Sequence, residues 1–274
     1  MRTRTSLFAL LVAVIFASAA ASVQAQAREQ GRLLTASQVL EELSGARDEA
    51  IPERLLERAY GIAIIPDVTK VAWFLGGRRG HGVLVVRGKD GRFCDPVFVT
   101  LTGGSFGLQW GVQSTDIVLV FTTPRGIEGI NGGKVTLGAD ASVAAGPVGR
   151  QASAGTDAAF KAEVYSYSRS RGAFIGLALD GGAINIDDEA DATFYNKPGV
   201  LAADIMSGSV TSQDQSANRF LAAVASSTGE QRSASAQAPT STPPAGAAAA
   251  PAPQPASGVQ SFPLSDQQPG SEPK

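Results

Sequence analysis

Between Leu75 and Arg87 the sequence reads LGGRRGHGVLVVR, which places four glycines, three arginines and the chain's one histidine within thirteen residues. Residues of these types serve three chemistries: a glycine-rich loop gripping phosphate, a histidine acting as base or metal ligand, and a basic patch meeting anions. The phosphate-loop spacing G-x-x-x-x-G-K-[ST] is absent, and Gly80-His81-Gly82 opens an apolar β-branched run rather than a helix. Neither a P-loop nor a dinucleotide fold is indicated. His81 has no second histidine and Cys94 is the single cysteine, so a metal centre lacks its convergent ligands. No G-x-S-x-G elbow is present. The sequence predicts no catalytic residue, no metal and no cofactor, and His81 reads as a surface residue.

Charge distribution is more informative. Lys70 to Arg92 holds six basic residues (Lys70, Arg78, Arg79, Arg87, Lys89, Arg92) against one acid, Asp90, whereas Asp180 to Asp191 holds five acids and no base. A local basic face of this kind binds anions even when the total charge is slightly negative, and the planar arginine fork makes paired hydrogen bonds to phosphate. The acidic run NIDDEAD, Asn185 to Asp191, lacks the glycine spacing of a calcium loop. It reads as the start of a helix reaching Phe194, with Asp188 or Glu189 as the cap. Paired carboxylates there could also serve glycoside hydrolysis, but no aromatic cluster accompanies them beyond Phe194 and Tyr195.

These residues need a scaffold, and the hydrophobic periodicity supplies one. Leu34 to Tyr60 has helical spacing: TASQ, Thr35 to Gln38, is a capping-box pattern, Ala36, Val39, Leu40 and Leu43 share one face, and Pro52 opens a second helix with Leu55, Leu56 and Ala59. The polar side of this pair is acidic (Glu41, Glu42, Asp48, Glu49), which suits packing against a sheet better than docking to anionic lipid. From Gly61 to Asp188 the period becomes two. GIAII, KVAWFL, GVLVVR, FVTLT, SFGLQWGVQ (Ser105 to Gln113), DIVLVF, AEVYSYS, AFIGLAL and GGAINI read as short strands. The stretch GGRRGHG is then predicted as a hairpin loop between KVAWFL and GVLVVR. Cys94, beside Phe93 and Phe98, reads as a buried inert thiol on a strand. Gly107, Gly111 and Gly176 inside strands point to curvature or close backbone approach. TPRGIEGI reads as a helical turn, and DEADATFYN and TSQDQSANRFLAAVAS as helices. The predicted fold class is α+β, a curved antiparallel β-barrel or sandwich with N-terminal and C-terminal flanking helices.

The two ends of the chain differ from this core. Arg2 and Arg4, the apolar run Leu7 to Ala20, and small residues at Val23 and Ala25 form a secretory signal pattern over residues 1–25; the run is too short for an ordinary spanning helix. Its removal leaves 21 basic against 25 acidic residues, a balance that does not indicate a nucleic-acid partner. Residues 226–274 hold nine of the fifteen prolines and read as a disordered Pro/Ala/Ser-rich tail. One domain, residues 26–225, is predicted between them, in a periplasmic or secreted protein.

Four blocks, AYGIAIIPDVTKVAWFLGGRRGHGVLVVR, DPVFVTLTGGSFGLQWGVQSTDIVLVF, LGADASVAAGPVGR and YSYSRSRGAFIGLALDGGAI followed by FYN, together resemble the SYLF lipid-binding domain family from about Leu33 to Leu221. The resemblance implies a non-enzymatic module that binds anionic lipid. Eukaryotic members bind phosphoinositides, and yeast members bind and bundle actin. Export would remove this copy from both, so actin is not expected as a partner and an ordinary anionic phospholipid membrane surface is. The family's helix ahead of the sheet is acidic here, which shifts the expected contact to the basic stretch. The predicted lipid-binding residues are Lys70, Arg78, Arg79, His81, Arg87 and Arg92, with Trp73 as an interfacial aromatic. Two alternatives remain: an adaptor that binds another envelope protein through its tail, and a hydrolase built around His81, Asp187 or Asp188. An integral outer-membrane barrel is disfavoured, because the strand runs are short for a bilayer.

Overall fold

The computed structural model describes residues 24–43, 51–72, 75–106, 111–147, 161–170, 173–177, 179 and 181–229. The signal pattern up to residue 23, Trp73, Gly107, Asp48, Glu49 and the tail from residue 230 onward lie outside them.

Nine strands form one sheet: β1 (Gly61–Ala72), β2 (Leu75–Val86), β3 (Val97–Phe106), β4 (Gly111–Phe121), β5 (Lys134–Thr136), β6 (Val143–Ala145), β7 (Val164–Ser170), β8 (Ala173–Gly176) and β9 (Gly182–Ile186). Their order is β5-β9-β3-β2-β1-β4-β7-β6, with β8 also on β7. All pairs are antiparallel except β6 with β7, which is parallel, so the antiparallel expectation becomes a mixed, curled sheet forming a half-barrel. Six helices accompany it among the described residues: α1 (24–43), α2 (Glu53–Glu57), α3 (Arg125–Glu128), α4 (Asp188–Phe194), α5 (Ala202–Met206) and α6 (Gln215–Ser227). The α+β class with flanking helices stands.

Both sheet faces are buried, which explains why GIAII, VLVV and DIVLVF are continuous apolar runs rather than alternating ones. On one face Ile62, Ile64, Val83, Val85, Phe98, Val118, Val120, Tyr165 and Tyr167 pack under Leu33, Val39 and Leu40 of α1, Leu55 of α2, Phe194 of α4 and Phe220 of α6. On the concave face Ala63, Ile65, Leu84, Val99, Leu101, Leu119 and Phe121 meet Ile127, Ile130, Val135 and Leu137. The acids of α1 serve the fold: Glu42 pairs with Arg169 of β7, itself 3.0 Å from Asp116 of β4, and Glu41 pairs with Arg219 of α6.

Several local expectations change. Thr35 lies inside α1, not at its start, and its hydroxyl donates to the Gly31 carbonyl at 3.0 Å. A threonine hydroxyl satisfies a preceding carbonyl as readily as a cap, so TASQ imitates a capping box. Ser105 to Gln113 is not one strand: Phe106 ends β3 opposite Leu75, and Gly111 opens β4 opposite Ala72. GIAII and the first three residues of KVAWFL, Lys70 to Ala72, are conversely one strand interrupted by a bulge between Ile65 and Val68, where Asp67 has φ 50°; Leu75 already belongs to β2. Its backbone N–H donates to the Asp116 carboxylate at 3.0 Å. Asp187, not Asp188 or Glu189, caps α4 by accepting from the Ala190 N–H. The α6 helix continues to Ser227, past the predicted end of the domain at residue 225.

The bulge explains the glycines of the basic stretch. It pushes β1 backbone toward β2, so that a Cβ on Gly82 would overlap the Ile64 carbonyl and lie 2.8 Å from the Ile65 Cα; a Cβ on Gly80 would lie 2.6 Å from Val68 Cγ2. These glycines make room for a neighbouring strand. Gly176 fulfils the expected close approach, since a Cβ there would overlap the Gly146 carbonyl.

Candidate functional site

The predicted hairpin loop GGRRGHG is the middle of β2, ladder-paired on both sides. Thr69 and Thr102 flank Arg79, and Lys70 and Gly103 flank Arg78. Periodicity alone did not show this, because glycine-rich polar residues in an interior strand imitate a turn. The strand alternation then separates the two arginines. Arg79 and His81 share the helix-side face with Val83 and Val85, while Arg78 shares the concave face with Leu84 and Val86.

On the helix side, α1 and α4 bring charged groups against β2. Arg32 Nη1 lies 2.9 Å from Glu29 Oε2 and 3.2 Å from Asp187 Oδ2, and its guanidinium sits 5.9 Å from the Phe98 ring centroid. His81 Nδ1 lies 3.4 Å from Asp187 Oδ2 and 3.2 Å from Thr100 Oγ1. Burial raises the Asp187 pKa, but the Ala190 N–H, Arg32 and His81 more than offset it and hold this carboxylate below its ordinary range. The outcome is a shallow notch of about 320 Å³ bordered by Arg28, Arg32, Arg79, His81, Asp187 and Glu189. Arg79 is exposed there with no hydrogen-bond or ion-pair partner among the described residues.

Deeper in the same junction, Asp191 is fully buried. Its Oδ1 accepts from the Phe98 N–H at 2.9 Å, and its Oδ2 has no partner. Burial, with added repulsion from Asp187, Asp188 and Glu29, pushes its pKa up to about 8 against that one hydrogen bond. Sequence reasoning missed Glu29, Arg32 and Asp191. The first two precede the predicted helix, although their i, i+3 spacing carries a helical signal; Asp191 shows only its i, i+4 relation to Asp187.

Among the described residues, no nucleophile–His–Asp relay is assembled at His81. Asp187 and Thr100 both approach Nδ1, whereas a relay needs the carboxylate on one ring nitrogen and the nucleophile on the other. Among the described residues, no group of three or more His, Cys, Asp or Glu side chains is arranged to hold a metal.

On the concave side, Arg78 is half-buried, its Nε is buried without a hydrogen bond, and desolvation lowers its pKa. Its cross-strand partner on the same face is Lys70. Neither has an ion-pair partner among the described residues. Lys70, Arg78 and Arg79 thus occupy two adjacent rungs at one end of the β1–β2 ladder.

The remaining predicted residues sit elsewhere. Arg87 is nine residues along β2 from Arg78, ~30 Å away. It stacks 4.4 Å over Phe93 and donates to the Ala59 and Gly91 carbonyls, so its contacts are structural. Arg92 is exposed beside it, on a groove that Asp90, Asp95 and Glu128 also line. The single basic face predicted from Lys70 to Arg92 is therefore two separate ends of one strand. Cys94 follows an isolated bridge rather than lying on a strand; burial pushes its thiol up to about 11, which keeps it protonated and unreactive.

Comparison with known proteins adds a family. A family model described as Ysc84, Las17-binding protein actin regulator, matches residues 102–227. LAS seventeen-binding protein 3 of Saccharomyces cerevisiae is 35% identical over 177 residues, covering 64% of this chain and 38% of that protein. Protein YSC84 of the same yeast is 35% identical, covering 64% and 37%. SH3 domain-containing YSC84-like protein 1 of Bos taurus is 30% identical over 174 residues, covering 63% and 50%. The chain thus spans half or less of the length of these relatives.

Proposed function

This chain belongs to the Ysc84 family, whose shared domain is called SYLF, and on that basis we propose that it is a non-enzymatic binding module that docks reversibly on anionic phospholipid surfaces. The observation that carries this reading is the cluster of Lys70, Arg78 and Arg79 on two rungs at one end of the β1–β2 ladder, three cations with no acidic partner among the described residues. Arg28 and His81 border the notch beside Arg79, each already set against an acid, Glu29 and Asp187. The signal pattern over residues 1–25 makes the membrane an envelope surface, reached after export. Arg87 and Arg92 take no part in this contact.

Each cation near an anionic surface contributes ~1 kcal/mol at low salt, so the attachment is weak and salt-sensitive. Arg79→Glu is expected to reduce partitioning onto phosphatidylglycerol vesicles by at least about tenfold at low salt, since it removes one attraction and adds one repulsion. Arg92→Glu serves as the control at the far end of β2 and is expected to change binding less than about twofold. Equal losses in both variants, measured by vesicle flotation, would count against a localised contact.

A second reading, attachment to a protein partner, is supported by the name of one yeast relative, LAS seventeen-binding protein 3. It predicts retention by an envelope protein with no dependence on lipid charge.

A further inference from the structure

We infer that the concave-face pair Lys70 and Arg78 forms a seat for a single phosphate-type oxyanion, distinct from the diffuse surface attraction of Arg79. This deepens the membrane reading, because a lipid headgroup is one source of such a phosphate, but the seat itself does not require a membrane. Two like charges directly opposite each other on one face of an antiparallel ladder repel, and here no carboxylate among the described residues separates them. The Arg78 Nε is buried without an acceptor. An oxyanion bridging the ammonium and the guanidinium would supply that acceptor and cancel the repulsion, using the fork that arginine presents to phosphate.

The surroundings hold Arg78 in place and limit what fits. Gly103 and Gly182 are paired beside it on the concave face. A Cβ on Gly103 would lie 3.3 Å from both Arg78 Cγ and Gly182 Cα, so the two glycines provide a bare floor for the arginine stem. Two rungs deeper, Gly80 faces Leu101, and Val68 and Ile65 close the interior with apolar atoms. The cationic pair therefore stands where the apolar interior of the half-barrel ends. This arrangement favours a small, strongly charged group over an extended chain.

The test is thermal unfolding of the full chain with inorganic phosphate titrated against chloride at matched ionic strength. Parallel titrations use Arg78→Gln, Lys70→Met and Arg79→Gln. Phosphate is expected to raise the wild-type Tm in proportion to the logarithm of its concentration above Kd, reaching about 4 °C at twenty times its Kd. The same rise is expected in Arg79→Gln and none in Arg78→Gln or Lys70→Met. Each of those last two variants should also match or exceed the wild type in chloride, because it relieves a like-charge pair. No phosphate-specific rise in the wild type, or a full rise in Arg78→Gln, would overturn the seat. Vesicle binding of the same variants separates the two claims: phosphate stabilisation without vesicle binding retains the seat and removes the membrane reading, and the converse removes the seat.

Discussion

Replacing Asp191 by asparagine is expected to stabilise the protein at alkaline pH by several kcal/mol but by only about 1.5 kcal/mol at pH 5. The folded chain holds this carboxyl protonated up to about pH 8, whereas an unfolded aspartate ionises near pH 3.9. Between those values the folded state binds a proton that the unfolded state has released, so stability falls as pH rises. The loss begins at about pH 4 and is complete above about pH 8, and it amounts to roughly 5 kcal/mol as an upper figure. Asp187 and Asp214, both held below their ordinary range, act in the opposite sense, but only as pH falls through their depressed values. The two effects thus occupy separate windows. Asparagine keeps an oxygen to accept the Phe98 N–H and cannot ionise among Glu29, Asp187 and Asp188. Urea unfolding at pH 5, 7 and 9 checks the prediction. Parallel pH curves for the wild type and Asp191→Asn would show that the buried carboxyl does not control the junction between α1, β3 and α4.

Gly82→Ala should cost about 3 kcal/mol, near the upper end of overpacking effects. The added methyl would meet backbone, the Ile64 carbonyl and the Ile65 Cα, rather than a flexible side-chain end. Gly77→Ala, five residues earlier in the same stretch, is expected to be neutral or slightly stabilising, since nothing lies within 4 Å of its Cβ position. The contrast separates two roles for this glycine-rich run. If the glycines served a phosphate-gripping loop, both changes would impair anion binding with little effect on folding. If they accommodate the β1 bulge, only Gly82→Ala should unfold at lower urea.

The elements most legible in the sequence are those whose burial follows one simple period. Ala36, Val39, Leu40 and Leu43 of α1, and Ala217, Phe220 and Val224 of α6, are buried as their spacing predicts, while Leu221 on the same predicted face is only partly buried. GIAII and DIVLVF are strands, and their lack of alternation is itself the mark of a sheet buried on both faces. What misled the reading is specific. Asp67 in a left-handed conformation inside β1 resembles a strand end. Gly80 and Gly82 resemble a turn because their reason, the bulge in the adjacent strand, is 15 residues away in sequence. Ser105 to Gln113 alternates without interruption although its two halves belong to strands with different partners.

The candidate site divides along the same line. Basic residues concentrated between Lys70 and Arg92 were visible in composition, but the sequence could not show that β2 carries them to opposite ends and opposite faces. Charge counted along a strand is not charge on a surface: alternation placed Arg78 and Arg79 back to back, and strand length moved Arg87 and Arg92 beyond reach of either. The junction of Glu29, Arg32, Asp187 and Asp191 depends on contacts spanning more than 150 residues. No local pattern encodes it.

Co-sedimentation of residues 26–274 with phosphatidylcholine vesicles and with vesicles containing phosphatidylglycerol, at low and high salt, tests the central claim most directly. The account predicts binding only to the anionic vesicles, released by salt as the Debye length shrinks to a few ångströms. Equal retention on both compositions, or no retention on either, would contradict it and leave the protein-partner reading ahead.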